Sequence, residues 1–145
     1  LVAKVKNEAK RIANENQKDF IIIDGSPGVG CPVVSSLSGA HFAVLVTEPS
    51  VSGIHDLKRV YELVKKFNIK AGCIINKADI NTNVTDEILS FLKSESIEHI
   101  ANIPYNEDFT RAMTEGKSIV EYDKSELKEL IENSWEKVKK LTVVS

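Results

Sequence analysis

The chain has 145 residues, enough for one domain with a real core and too few for two. Hydrophobic residues make up 42% and charged residues 28%; a formal net charge of −2 gives no electrostatic reason for nucleic acid or an anionic membrane as a partner. No apolar run approaches the roughly 18 residues of a membrane-spanning helix, so integral membrane association is not expected.

In chain order, Val2, Val5, Ala9, Ile12 and Ala13 share a helical face over residues 1–15. Phe20-Ile21-Ile22-Ile23-Asp24 follows, a β-branched run of the kind buried on both faces of a parallel sheet, here ending in a carboxylate. Gly25 to Gly30 reads as loop, and Pro32 to Gly39 as a short helix with Pro32 in its first turn, where a missing N–H costs nothing. Residues 42–47 form a second strand. A helix over 53–67 carries Ile54, Leu57, Val60, Tyr61 and Val64, and residues 71–76 form a third strand. Asn83 is the expected cap of a helix reaching Leu92, and Ile97 to Ile103 is a fourth, weaker strand. Asn106 opens a short helix with Phe109, Ala112 and Met113. The last helix, about 124–141, buries Leu127, Leu130, Ile131, Trp135 and Val138. Strands alternating with helices imply one α/β domain over 1–145: a parallel sheet of about four strands with helices on both faces, a partial Rossmann-like three-layer fold.

Ligands gather at the carboxyl edge of such sheets. Three strands end there in polar residues: Asp24, then Thr47-Glu48, then Asn76-Lys77-Ala78-Asp79. Apolar residues followed by Asp24 form a Walker B pattern, in which the carboxylate holds a magnesium-bound water. Gly25, Gly28 and Gly30 would let backbone N–H groups approach a terminal phosphate. A plain strand-and-turn reading explains the same segment equally well. Asn76 can offer an amide to a purine edge, and Asp79 a carboxylate to ring or exocyclic N–H groups, although Asn, Lys and Asp are all common in turns. Cys31 and Cys73 lack metal-site spacing and read as reduced cytoplasmic thiols, Cys31 as a buried structural one.

Phe20 to Asn81 resembles the MinD/Mrp branch of P-loop ATPases, within the SIMIBI class, particularly the subgroup with an inserted ferredoxin-like domain. The resemblance rests on Asp24-Gly25-Ser26-Pro27-Gly28-Val29-Gly30-Cys31-Pro32, then Thr47-Glu48-Pro49-Ser50, the helix from Gly53, Ile75-Asn76-Lys77-Ala78-Asp79, and Ile103-Pro104-Tyr105. Together it spans roughly residues 19–122. It implies that Asp24 is the magnesium-side carboxylate and that Gly28 presents its amide to the γ-phosphate, the two catalytic positions. It further implies a nucleotide-binding set of Gly25, Pro27, Gly28, Gly30, Asn76, Asp79 and Pro104, with Asn76 at the adenine edge and Asp79 supporting its loop.

No Gly-x-x-x-x-Gly-Lys-Ser/Thr motif occurs, the only methionine is Met113, and the chain opens helix-like at Leu1 with no signal peptide. The chain therefore reads as the C-terminal portion of a longer cytoplasmic ATPase. ATP and Mg would belong to the full-length protein, iron–sulfur clusters to an absent insert, and none of these is expected to bind this chain tightly. The missing N-terminal half is the expected partner, and a homodimer is a further one. In the family fold the P-loop strand lies between Phe20–Asp24 and Phe42–Thr47. Without it, these two strands are expected to pair directly, or a second copy to cover them. Two alternatives stay open. One is a receiver-like phosphoacceptor domain built on Asp24, Thr47 and Lys77; the other is a non-catalytic binding domain on the same fold.

Overall fold

The computed structural model describes residues 1–122 and 126–143. The elements run α1 (Val2–Glu15), α2 (Cys31–Leu37), β1 (Phe42–Thr47), α3 (Val51–Lys66), β2 (Lys70–Asn76), α4 (Thr82–Ser94), β3 (Glu98–Ile103), α5 (Asp108–Thr114), α6 (Ile119–Tyr122) and α7 (Glu126–Thr142). The strands form one parallel sheet in the order β1-β2-β3. The α/β class and the flanking helices agree with expectation; the strand count is three rather than four.

Alternation along the strands sets the layers. Ala43, Leu45, Ala71, Cys73 and Ile75 face α3 and α4, where Ile54, Leu57, Val64, Ile88 and Leu92 close the main core. Alternate side chains of a strand point to opposite faces. α7 packs against β3 and β1, on the other side. A smaller cluster joins Ala112, Ile119 and Leu127 with Phe109 and Ile131, tying α5, α6 and α7 together.

The expected strand Phe20–Asp24 does not form. The segment has no ladder partner, and Ile21, Ile22 and Ile23 are 40%, 78% and 38% exposed. A strand exists only through its neighbour, and direct closure onto β1 does not occur. Phe20 instead sets its ring edge-on to Trp135 of α7, centroids 5.4 Å apart. Lys6 of α1 donates to the Ser35, Ser36 and Ser38 carbonyls at the end of α2. These anchors hold the segment without pairing it.

Other expectations shift. Asn81, not Asn83, caps α4, its Oδ1 accepting from Val84 N at 3.2 Å. On α1 only Ala13 is buried, while Val5 and Ile12 stay exposed, because the helix touches little besides α2. Trp135 is 36% exposed rather than buried. The expected start of the last helix at 124 lies outside the described residues. No helix among the described residues is long and apolar enough to cross a membrane.

Candidate functional site

Parallel strands put all their carboxyl ends on one edge, and the register brings Asn76 of β2 opposite Ile103 of β3. From there the chain turns sharply through Lys77, which takes φ 52° in the left-handed region. Asn76 makes that turn possible: its Oδ1 accepts from Lys77 N at 3.0 Å, a short-range side-chain bond that stabilises turns. Ala78 N donates to Ile103 O at 2.9 Å, extending the β2–β3 contact past the strands. Asp79 Oδ1 accepts from Tyr105 N at 2.7 Å. The Thr85 hydroxyl of α4 donates to Ala78 O at 2.7 Å inside the protein. Lys77 Nζ lies 3.3 Å from Glu48 Oε2 at the end of β1.

Of the expected site residues, the fold thus gathers Asn76, Asp79 and Pro104 into one network, joined to β1 through Glu48. Glu48 and Tyr105 were named in the sequence only as parts of strand-end segments, without these contacts, and Thr85 was not named at all, since a buried hydroxyl leaves no pattern.

Asp24, Gly25, Pro27, Gly28 and Gly30 form a second, separate group. All five are exposed. No hydrogen bond among the described residues joins them to the Asn76 loop. Gly28 takes φ +92°, a conformation that L side chains rarely adopt, and a Cβ at Gly25 or Gly28 would meet nothing within 4 Å. The loop therefore has bare backbone amides and open space, which suits an incoming phosphate. Among the described residues no group of three His, Cys, Asp or Glu could hold a metal ion. Asp24 alone would leave most of a magnesium ion's shell to water and phosphate oxygens.

The cysteines do not fit an iron–sulfur cluster, which needs several convergent thiolates. Cys73 is fully buried in the core, and burial pushes its thiol up to about 12. Cys31, expected to be buried, is exposed at the first turn of α2, where the preceding Gly30 and the glycine loop are exposed too. The receiver-like alternative gains no support. The Thr47 hydroxyl is turned to Gly53 O at 3.0 Å, and Lys77 pairs with Glu48 rather than with Asp24.

No protein-family model matches the chain. Two uncharacterized proteins of Methanocaldococcus jannaschii are 35% and 30% identical to it, over 56% and 83% of this chain and 28% and 40% of their own lengths. A ParA family protein of Mycoplasma pneumoniae is 23% identical over 85% of this chain and 48% of its own. The chain thus spans less than half the length of these curated relatives. Among solved structures, the MinD cell division protein of Aquifex aeolicus superposes with a TM-score of 0.78 at 21% identity, over 96% of this chain and 61% of that one. The septum site-determining protein MinD of Pyrococcus horikoshii, complexed with Mg-ADP, gives 0.71 at 25% identity, over 86% and 52%. In fold and in sequence the chain is thus similar to MinD/ParA-type ATPases.

Proposed function

We propose that the chain is the C-terminal portion of a MinD/Mrp-like ATPase, supplying half of a nucleotide site. The observation that carries this reading is the hydrogen-bonded closure of the Asn76–Asp79 loop onto the Pro104–Tyr105 segment at the carboxyl edge of a parallel sheet, with a separate glycine loop that has open space around Gly25 and Gly28. In this reading Asp24 holds a magnesium-bound water, Gly28 offers its amide to the γ-phosphate and Asn76 meets the base. ATP and magnesium supply the phosphoryl chemistry; the residues here bind, orient and position. In this reading the coupling to iron–sulfur or electron-transfer work that the ferredoxin-insert subgroup implies draws its ligands from outside this chain.

The missing half is the partner that the surface favours. Ile21, Ile22 and Ile23 stand beside no strand, and Val44 and Val46 of the edge strand β1 are 39% and 65% exposed. An unpaired backbone with apolar side chains is a template for another strand. In this reading that strand is the P-loop strand of the same protein, and the assembled ATPase works as a homodimer in the cytoplasm.

The reading is tested by calorimetry. The chain alone should bind Mg·ATP no tighter than millimolar, since P-loop amides and lysine provide most phosphate affinity. Micromolar binding, or turnover above buffer, would sink it. With a P-loop half restored, Asn76→Ala should weaken ATP binding by ~1–3 kcal/mol. Asp24→Asn should lower turnover more than binding, and equal, negligible effects of both changes count against these assignments.

A further inference from the structure

The run Phe20–Asp24 is unpaired, yet its side chains are already sorted. Among the described residues, 19–29 make no backbone hydrogen bond. Even so, Ile21 and Ile23 are 40% and 38% exposed, and Ile22 between them is 78% exposed. That is the period of two of an extended strand, with Ile21 and Ile23 on one face and Phe20, Ile22 and Asp24 on the other.

One ring contact accounts for that facing. Phe20 is half-buried and meets Trp135 edge-on, at an interplanar angle of 69°, an arrangement that aromatic pairs favour. Trp135 is itself held within α7: Lys139 Nζ lies 5.9 Å from its ring centroid and 2.6 Å from Glu136 Oε1. Because α7 packs on β3 and β1 away from α3 and α4, Phe20 is turned to the α7 layer. Ile22 and Asp24 follow it by alternation, and Ile21 and Ile23 turn the other way. A slip of one residue would exchange the two sets.

We propose that Trp135 is a positioning residue: through Phe20 it latches the unpaired run in one facing, so that an arriving strand finds the side chains sorted and Asp24 on the α7 side. The use made of Asp24 rests on the magnesium-side reading above; the latch does not, and it is tested without ligand. The main core contains neither Phe20 nor Trp135, so variants at both positions keep it. As Trp135 is the only tryptophan, its emission reports the contact directly. Phe20→Ala should move that emission to the red, and Phe20→Tyr, which keeps a ring in place, should not.

The facing is read by alkylation rates of Ile21→Cys, Ile22→Cys and Ile23→Cys at pH 8, each in a Cys31→Ser background where the buried Cys73 stays silent. Ile22→Cys should react roughly twice as fast as the other two, in line with its exposure. Adding Phe20→Ala should bring the three rates together, and Trp135→Leu, which removes the other ring, should do the same. Phe20→Tyr should keep them apart, which a loss of general stability would not explain. Equal rates in the unaltered background, a difference that survives both ring deletions, or an emission unmoved by Phe20→Ala overturns the proposal. Should the nucleotide reading fail in calorimetry while the rates still alternate, the latch stands and only the role of Asp24 falls.

Discussion

Ile21, Ile22 and Ile23 and the strand residues Ile74 and Ile75 are chemically alike, yet they meet opposite fates. Ile75 is fully buried between α3 and α4, whereas Ile22 is 78% exposed. What separates them is pairing. β2 has a neighbour on each side, and its register against β1 turns one face into a core. The Phe20–Asp24 run has no neighbour and gains nothing from its β propensity. The larger part of the chain, from β1 onward, carries its own core; the part before it is tethered to it by Phe20 and Leu37, while Lys6 only joins α1 to the end of α2. Burial belongs to the partnered element, since β propensity measures fit to a pleated, half-buried surface.

The largest expected effect sharpens that contrast directly. Ile88→Ala, at a fully buried position, should lower unfolding stability by ~2–5 kcal/mol, against within ~0.5 kcal/mol for Ile22→Ser. Denaturant melts of the two variants measure it, and comparable losses would mean that the run is covered in the free chain.

Next come the glycines. A Cβ at Gly72 would sit 2.6 Å from Ile100 Cδ1, and one at Gly53 2.2 Å from Glu48 O, a backbone atom that cannot swing aside. Gly72→Ala should cost ~1–3 kcal/mol, and Gly53→Ala at least as much. Gly25→Ala, with open space around it, should leave stability unchanged in the same melts. A cost at Gly25 similar to that at Gly72 would show the loop packed in the free chain.

Capping gives a smaller difference. Asn81→Ala should destabilise by ~1 kcal/mol, and the exposed Asn83→Ala by a few tenths at most. The reverse order would restore the cap position expected from sequence.

The last comparison concerns the thiols and involves no stability change. At pH 8, well below the value of about 12 to which burial raises Cys73, its thiol stays protonated and enclosed. Mass spectrometry after brief alkylation should find Cys31 modified and Cys73 intact until denaturant is added. Early modification of Cys73 would show the sheet opening.

Much of the site was legible because its residues are sequence neighbours at a strand end. Ile75-Asn76-Lys77-Ala78-Asp79 placed the loop, and Ile103-Pro104-Tyr105 placed the segment beside it. The wiring was not legible. That Asp79 holds a backbone amide 26 positions away, and that Lys77 turns to Glu48, are contacts between strand ends. No local pattern encodes them.

The sequence by itself determined the alternation of elements, the three strands from residue 42 onward and the edge where polar residues gather, because periodicity and strand-end chemistry are local. Tertiary structure alone decided which apolar runs become core. It left Phe20–Asp24 unpaired, α1 half-bare and Cys31 exposed, since a strand, a helix face or a thiol is buried only by what lies against it.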